Sequence, residues 1–573
     1  MDLRILQKNL IKLSLIFFAI SILLLLHSSY TKVSGFSEEN IIGLAGTLTE
    51  CYWLGLTSVL LSIFFLIFSP NCYKYEKMFL AEALLFAIYL YAIPALVEEN
   101  VYFPDTWGHL TGSVSILING NYDKTGNWYV TQYPGAFILS SITVLVSGMD
   151  PITFVKHYPI IISGYIVLVS YLLFRKCLTN KKMSYFATIF FVSGSVWVFP
   201  KHFCPNSPAF ILFLLIFYLS LSKGTLKNIL LSIFLVATIT VTHPTTMPFL
   251  IFSVTLIPIT FKLWSKRIKN IQLNTQFSLL KFLPFFTIII WSAWSVFNAT
   301  GVFTYLINTV EKFFGSLSEF VSIGKPTERF AVTSPLMIGQ TLKMSYTFLY
   351  VFVSFIGTFY LAFDIFKKKK MENARLFAVM GGWFIACVIL GVATALLQGG
   401  EFYERILLYG FIPLSVFAIF TLRNKYGKSV FILAILIGTY LSIFASYTNE
   451  YFEYTPITDS YGSIFMVSHN ITQNVKIGIP TFGLYKFYIY YRIYRAGSDI
   501  ESSTPTKNTF FVWSKVSYTC YVVYIKGREY TQLQGWMLRM TWMDKYPSML
   551  YQPNSSLIYN NGNFHVICAN ISE

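Results

Sequence analysis

The stretch "YPGAFILSSITVLVSG", residues 133–148, decides how the rest of the chain is threaded. It is apolar enough to be taken for a membrane crossing. As a helix, its sixteen residues reach only about 24 Å, short of a hydrocarbon core of roughly 30 Å. Counted as a crossing, it puts the basic clusters before and after it on opposite faces of the membrane. Read instead as an interfacial or re-entrant helix that begins and ends outside, it leaves every cluster on one face. Backbone at that depth is tolerated where protein or a wet cavity surrounds it.

The clusters carry this argument. They are Arg4/Lys8/Lys12, Lys74/Lys77, Arg175/Lys176/Lys181/Lys182, Lys223/Lys227, Lys262/Lys266/Arg267/Lys269, Lys367 to Lys370 with Arg375, and Arg423/Lys425/Lys428. Each lies between apolar runs, the positive-inside signature. With all of them cytoplasmic, thirteen spans result: 10–27, 48–68, 78–97, 157–174, 184–200, 208–222, 228–242, 246–262, 279–297, 341–364, 376–397, 405–421 and 429–446. The N-terminus is then inside and the tail outside. The first run is not followed by a small-residue cleavage site, so it reads as a retained helix.

Composition agrees. The chain has 573 residues, 55% of them hydrophobic and 12% charged, where a soluble protein carries about a quarter charged. The expected fold class is therefore an all-α polytopic membrane protein. The net charge of +17 is spent on orienting helices, not on a nucleic-acid patch. The sequons at Asn298, Asn470, Asn554 and Asn570 all fall on segments placed outside. The large outer segments are 98–133, 298–340 and the tail 447–573, so chemistry is expected on the outer face.

The tail differs in composition. "TFFVWSKVSYTCYVVYIKG", 509–527, is rich in β-branched and aromatic residues, and "SSLIYNNGNFHVICA" reads as a hairpin turning at Asn561-Gly562. A small extracytoplasmic α/β or β-rich domain over 447–573 is expected, following a transmembrane domain over 1–446. The seven cysteines show no metal-ligand spacing; a disulfide between Cys520 and Cys568 is one arrangement open to the tail.

Candidate site residues gather in four outer segments. In "VEENVYFPDTWGHL", residues 97–110, Asp105 and His109 are four apart and share one face of a helix that Pro104 opens. Glu98 and Glu99 precede them. A carboxylate at a membrane–water boundary can deprotonate an acceptor hydroxyl or hold a divalent cation, magnesium or manganese, against phosphate oxygens. It can equally be a capping acid at a helix start. Lys201 and His202 in "PKHFCPNSP", and His243 in "THPTT", lie at outer span ends, where either site can meet an anionic head group or simply be interfacial. In "GGEFYERILLYGFIPL", 399–414, Glu401, Glu404 and Arg405 open an apolar helix. An arginine on an outer loop breaks the charge rule locally. Either a partner carboxylate or a lipid-linked phosphate accounts for it. There is no phosphate-binding glycine loop, serine-hydrolase elbow, HExxH or Rossmann fingerprint.

The order of these features resembles the GT-C superfamily of integral-membrane glycosyltransferases, such as protein O-mannosyltransferases and aminoarabinose transferases. The matching residues are Asp105 in "PDTWGHL", Tyr133-Pro134 in "QYPGAFIL" and Arg405 in "YERILLYGFIPL". The resemblance implies a polyprenyl-phosphate sugar as donor, a glycan, lipid or protein as acceptor, and catalysis at the outer face of a plasma membrane. It gives Asp105 the catalytic role, or that of a metal ligand, with His109 orienting it. Tyr133 would shape the site, and Arg405, with Lys201 and His243, would bind donor phosphate. Glu98, Glu99, Glu401 and Glu404 would support it. The chain departs from the family in carrying two spans ahead of the one that leads into the acidic loop. A transporter or flippase of an anionic lipid or polymer is the other reading. Transporters place ionisable groups at the midplane, whereas here they stand at the outer boundary.

Overall fold

The computed structural model of the chain describes residues 3–31, 42–122, 128–267, 279–301, 334–367, 371–398, 403–448 and 454–469. In the tail it describes 475–477, 484–489, 509–514, 555–561 and 564–569, with isolated positions between. These residues form a helical body followed by a small sheet.

The helices are α1 (Leu3–Tyr30), α2 (Gly43–Thr47), α3 (Glu50–Phe68), α4 (Glu76–Tyr91), α5 (Ile93–Val97), α6 (Pro104–Asn119), α7 (Trp128–Gln132) and α8 (Gly135–Ser147). Then come α9 (Pro151–Cys177), α10 (Lys181–Gly194), α11 (Asn206–Ser220), α12 (Leu226–Thr242), α13 (Thr246–Arg267) and α14 (Leu279–Phe297). The rest are α15 (Ser334–Phe366), α16 (Met371–Gln398), α17 (Tyr403–Ala418), α18 (Lys425–Tyr447) and α19 (Ile457–Ser468). Their boundaries have local causes. Asp150 accepts from the backbone N–H of Ile152 and Thr153 and caps α9, with Pro151 in the first turn. Asn180 and Asn424 cap α10 and α18 in the same way. Gly120 (φ 65°) and Gly148 (φ 66°) end α6 and α8 in the left-handed region, where a side chain is disfavoured.

Among the described residues, nine helical stretches are long and apolar enough to cross a membrane. They correspond to nine of the expected spans. The other four, 78–97, 184–200, 208–222 and 228–242, are the shorter helices α4 with α5, α10, α11 and α12. α4 stops at Tyr91, whose hydroxyl donates to Val192 O (2.7 Å), and the chain restarts as α5 around Pro94. α8 covers the segment 133–148. At 13 residues it is about 20 Å long, and Leu139, Ile142, Leu145 and Val146 form an exposed apolar side. Its opposite side packs on α6 and α12.

Two ends of the body are chemically distinct. At one, Lys181 pairs with Glu76 (2.6 Å), Arg423 with Asp364, and Lys182 and Lys428 lie over the Phe68 ring. These belong to the basic clusters. At the other end, the loop before α6, the start of α9 and the tail meet. Thr455 N–H donates to Tyr102 O (2.8 Å), Asn100 Nδ2 to Ser460 Oγ (2.9 Å), and Tyr491 OH to Asp150 Oδ1 (2.5 Å). Trp107, fully buried, packs against Phe487 and Tyr488 of the tail.

The tail sheet comprises β1 (Val475–Ile477), β2 (Thr509–Ser514), β3 (Ser555–Asn560) and β4 (Phe564–Ala569), in the order β1-β2-β4-β3. β1 and β2 run parallel, and the other pairs run antiparallel. The turn between β3 and β4 falls at the expected Asn561, whose Oδ1 accepts from Phe564 N–H (2.9 Å). α19 packs on β4. Cys520, Asn470, Asn554 and Asn570 lie outside the described residues, and so does the expected disulfide.

One seam is polar inside a span. Ser14, Ser21 and Ser28 repeat every seven residues along α1 and are buried against α3. Ser21 donates to Gly55 O (2.9 Å), and Ser14 Oγ to Glu82 Oε1 (2.5 Å). Ser62 donates to the same Glu82 oxygen (2.6 Å). Otherwise α1 is open, with 11% of its span buried.

Candidate functional site

Asp105 sits in the first turn of α6, after Pro104, where the free N–H groups and the helix dipole favour a negative charge. His109, one turn on, donates from Nε2 to Asp105 Oδ2 (3.0 Å). His202, from the loop between α10 and α11, donates from Nε2 to the same oxygen (3.3 Å). Both imidazoles take Oδ2, which leaves Oδ1 without a hydrogen bond among the described residues. Asp105 lines a recess: water reaches 66% of its side chain, while protein crowds it from several segments.

That crowding pushes the Asp105 carboxyl upward, but the two imidazoles outweigh it and hold it well below the usual carboxylate range. Burial pulls His109 down, and the Asp105 charge more than restores it, so its pKa is raised. His202 is pulled down by burial as well, yet Cys204 and Asp105 lift it to about 10. The Cys204 thiol, buried two residues on, is lowered: its own burial opposes this, but His202 and His109 prevail. The result is a carboxylate that accepts from both imidazoles, its own pKa lowered and theirs raised.

A second group of side chains approaches from α12, α13 and α17. Arg405 Nη1 donates to Thr245 Oγ1 (2.6 Å), and Tyr409 OH donates to Thr246 Oγ1 (2.8 Å). Both hydroxyls are then left to donate to His243 Nδ1, at 3.3 Å and 2.9 Å. This fixes the proton of the neutral ring on Nε2. Burial, Arg405 and His109 together hold His243 well below its ordinary pKa. His243 is therefore a neutral donor, not a cation. Tyr129 lies between the two groups, its phenol raised by burial and acted on by Cys204, Arg405 and Asp105.

The first turn of α8 brings the groups together. At Gly135 a Cβ would stand 2.6 Å from Thr242 Oγ1 and 3.0 Å from Val241 O, so only glycine lets α8 start against the end of α12, beside His243. Pro134 and the buried Tyr133 precede it. From the far side of this junction, the His109 ring faces Tyr129 and Phe137, with centroids 5.9 Å and 5.8 Å apart.

Of the expected residues, Asp105, His109, His243, Arg405 and Tyr133 come from four segments to one region. Lys201 turns away: it is buried, donates to Val196 O (3.3 Å), and lies over the rings of Tyr447 (5.0 Å) and Phe103 (5.8 Å). Its neighbour His202 takes the place at Asp105. Glu98 is buried at the end of α5, and Glu99 is exposed, its carbonyl accepting from Lys156 Nζ (2.7 Å). Glu401 and the side chain of Glu404 lie outside the described residues. Sequence reasoning missed Cys204, Tyr129, Thr245, Thr246 and Tyr409. Among the described residues, no three His, Cys, Asp or Glu side chains form a set that could hold a metal ion.

No family model matches the chain, and no curated relative matches it. Among solved structures it is similar to the oligosaccharyltransferase of Archaeoglobus fulgidus in complex with zinc and sulfate, at 15% identity and a TM-score of 0.37. That likeness covers 75% of this chain and 59% of the archaeal one, so the chain spans about three-fifths of its length. It is also similar to ArnT from Cupriavidus metallidurans bound to undecaprenyl phosphate, at 8% identity and a TM-score of 0.36, over 87% of this chain and 98% of that one. At these scores neither likeness bears on the chemistry, which is read from the side chains alone.

Proposed function

We propose that the chain is a membrane glycosyltransferase that takes a sugar from a polyprenyl-phosphate donor at the outer leaflet and transfers it with inversion. The observation that carries this reading is the meeting of a clasped carboxylate, Asp105 with His109 and His202, and a guanidinium-headed hydrogen-bond chain, Arg405–Thr245–His243, at one end of a membrane bundle. The opposite end holds the Lys/Arg clusters, and the positive-inside rule supports an outer site.

The chemistry divides along that geometry. Arg405 binds the donor phosphate, with His243 Nε2–H as a neutral donor beside it. The acceptor oxygen forms a bond to the anomeric carbon, the anomeric C–O bond to phosphate breaks, and its electron pair stays on the phosphate oxygen. The acceptor proton passes to Asp105, whose Oδ1 is open and which is ionised across the neutral range. Arg405, with the His109 ring nearby, neutralises the charge developing on the leaving phosphate. No step is assigned to a divalent cation.

The test is turnover of purified protein with polyprenyl-phosphate sugars. Asp105→Asn should lower it roughly a hundredfold or more; undiminished turnover sinks the assignment. A transport reading draws no support from the buried acids in the spans, since Glu82 is tied by Ser14 and Ser62, and Asp364 by Arg423.

A further inference from the structure

The basic end of the body neutralises some of its cations and crowds two others together. Lys181 meets Glu76 (2.6 Å), and Arg423 meets Asp364. Lys182 and Lys428, on the same two stretches of chain, form no ion pair among the described residues. Both instead reach one ring: Lys182 Nζ lies 5.4 Å and Lys428 Nζ 4.8 Å from the centroid of Phe68. A ring attracts each ammonium but carries no net charge, so the repulsion between the two is left unanswered. Lys182 feels it. Burial lowers its pKa, the Cys72 thiol offsets part of this, and Lys428 lowers it further.

The pair stands at the mouth of an apolar seam. Phe68 is the last residue of α3 and Lys428 lies in the first turn of α18, and both helices are long and apolar enough to cross a membrane. Lys428, Ile432, Leu436 and Tyr440 are spaced by four along α18 and so share a ridge. At its far end Tyr440 OH and Thr57 Oγ1 of α3 share a hydrogen bond (2.6 Å). Leu61 follows Thr57 by one turn of α3, on the way to Phe68. Leu61, Ile432 and Leu436 are only half-buried, so protein leaves one side of the seam uncovered. Behind its basic end stands α10, where Phe186 meets Phe68 (5.9 Å) and Phe431 (5.7 Å).

We propose that Lys182 and Lys428 together hold the phosphate of one anionic phospholipid, in the leaflet at the basic end, with an acyl chain along the seam between α3 and α18. A phosphate answers two ammonium groups at once, and basic recesses between spans are suited to such head groups. The apolar seam that starts at the same ring selects a lipid over a soluble anion. The site is at the opposite end from Asp105 and does not depend on the glycosyl-transfer reading.

Native mass spectrometry of the full chain in detergent provides the test. The probes are dioleoylphosphatidylglycerol and dioleoylphosphatidylcholine, which share their chains and differ in charge. The wild type should retain one phosphatidylglycerol roughly tenfold better than phosphatidylcholine. Lys182→Gln with Lys428→Gln should lose that preference in a protein that melts, lipid-free, as the wild type does. Lys223→Gln with Lys227→Gln removes the same charge from exposed positions of another cluster and should keep it. Leu436→Trp fills the seam and should weaken retention with both lysines in place. No preference in the wild type, or equal loss in the two double variants, overturns the site. If inorganic phosphate displaces the lipid and Leu436→Trp changes nothing, the lysines take a free anion and the lipid assignment is overturned.

Discussion

At the scale of single residues, the chain illustrates how little sequence distance says about a site. Asp105 and His109 were readable together because a helix repeats every 3.6 residues. His202 arrives from 97 residues away, and nothing local distinguishes it from Lys201 beside it. The fold decides: the amine finds Val196 O and two ring faces, and the imidazole finds the carboxylate. The clasp has a pH signature. Its imidazole contribution is complete below the unfolded histidine value of 6.5 and is lost as pH rises toward the folded value of about 10 at His202. Its carboxylate contribution is complete above the unfolded value of 3.8 and is lost as pH falls through the depressed value of Asp105. The melting temperature of the wild type should therefore exceed that of His202→Ala by most between these two unfolded values. The gap should close toward pH 10. A gap that widens with rising pH contradicts the clasp. At the other group, Arg405→Lys keeps the charge but loses the planar fork. It should raise the donor KM in steady-state assays and leave the acceptor KM as it was.

At the scale of elements, the segment 133–148 was readable as a short helix from its length, and α8 has 13 residues. Its purpose was not readable, because the reason lies at Gly135 and depends on α12, which is a hundred residues away in sequence. Gly135→Ala should force α8 from the end of α12, at about 1–3 kcal/mol of stability, and should disconnect His243 from His109. Thermal melting and turnover should fall together. Glu82 makes a parallel case in α4. Ser14 and Ser62 both donate to it inside the bundle. Glu82→Ala takes the acceptor from Ser14, while Ser62 keeps Ser14 O (2.8 Å), a loss of about 1–2 kcal/mol, whereas Glu82→Gln keeps an acceptor and most of the stability. Equal melting of the two variants would show that the seam adds nothing.

At the scale of the molecule, the separation of a basic end from a site end predicts an orientation that impermeant labelling can check. A cysteine placed at exposed Gly108, near Asp105, should react with a membrane-impermeant maleimide on intact cells. One placed at exposed Tyr426 should react only after the membrane is opened. The reverse pattern would turn the chain over. The nine long spans were plain from composition, while the four shorter helices needed the charge count, because buried loops complete their length. The tail was readable as strands but its docking on the helical body was not, since Asn100 and Trp107 meet it only in the fold. The serine seam of α1 has a consequence for how the protein is made. A helix that is stable on its own in lipid, and is joined to its neighbours along one narrow line, can be supplied as a separate chain. Residues 1–35 and 36–573, translated as two polypeptides in one cell, should find each other in the bilayer and co-purify, and Ser21→Leu, which blocks the line against Gly55, should leave them apart.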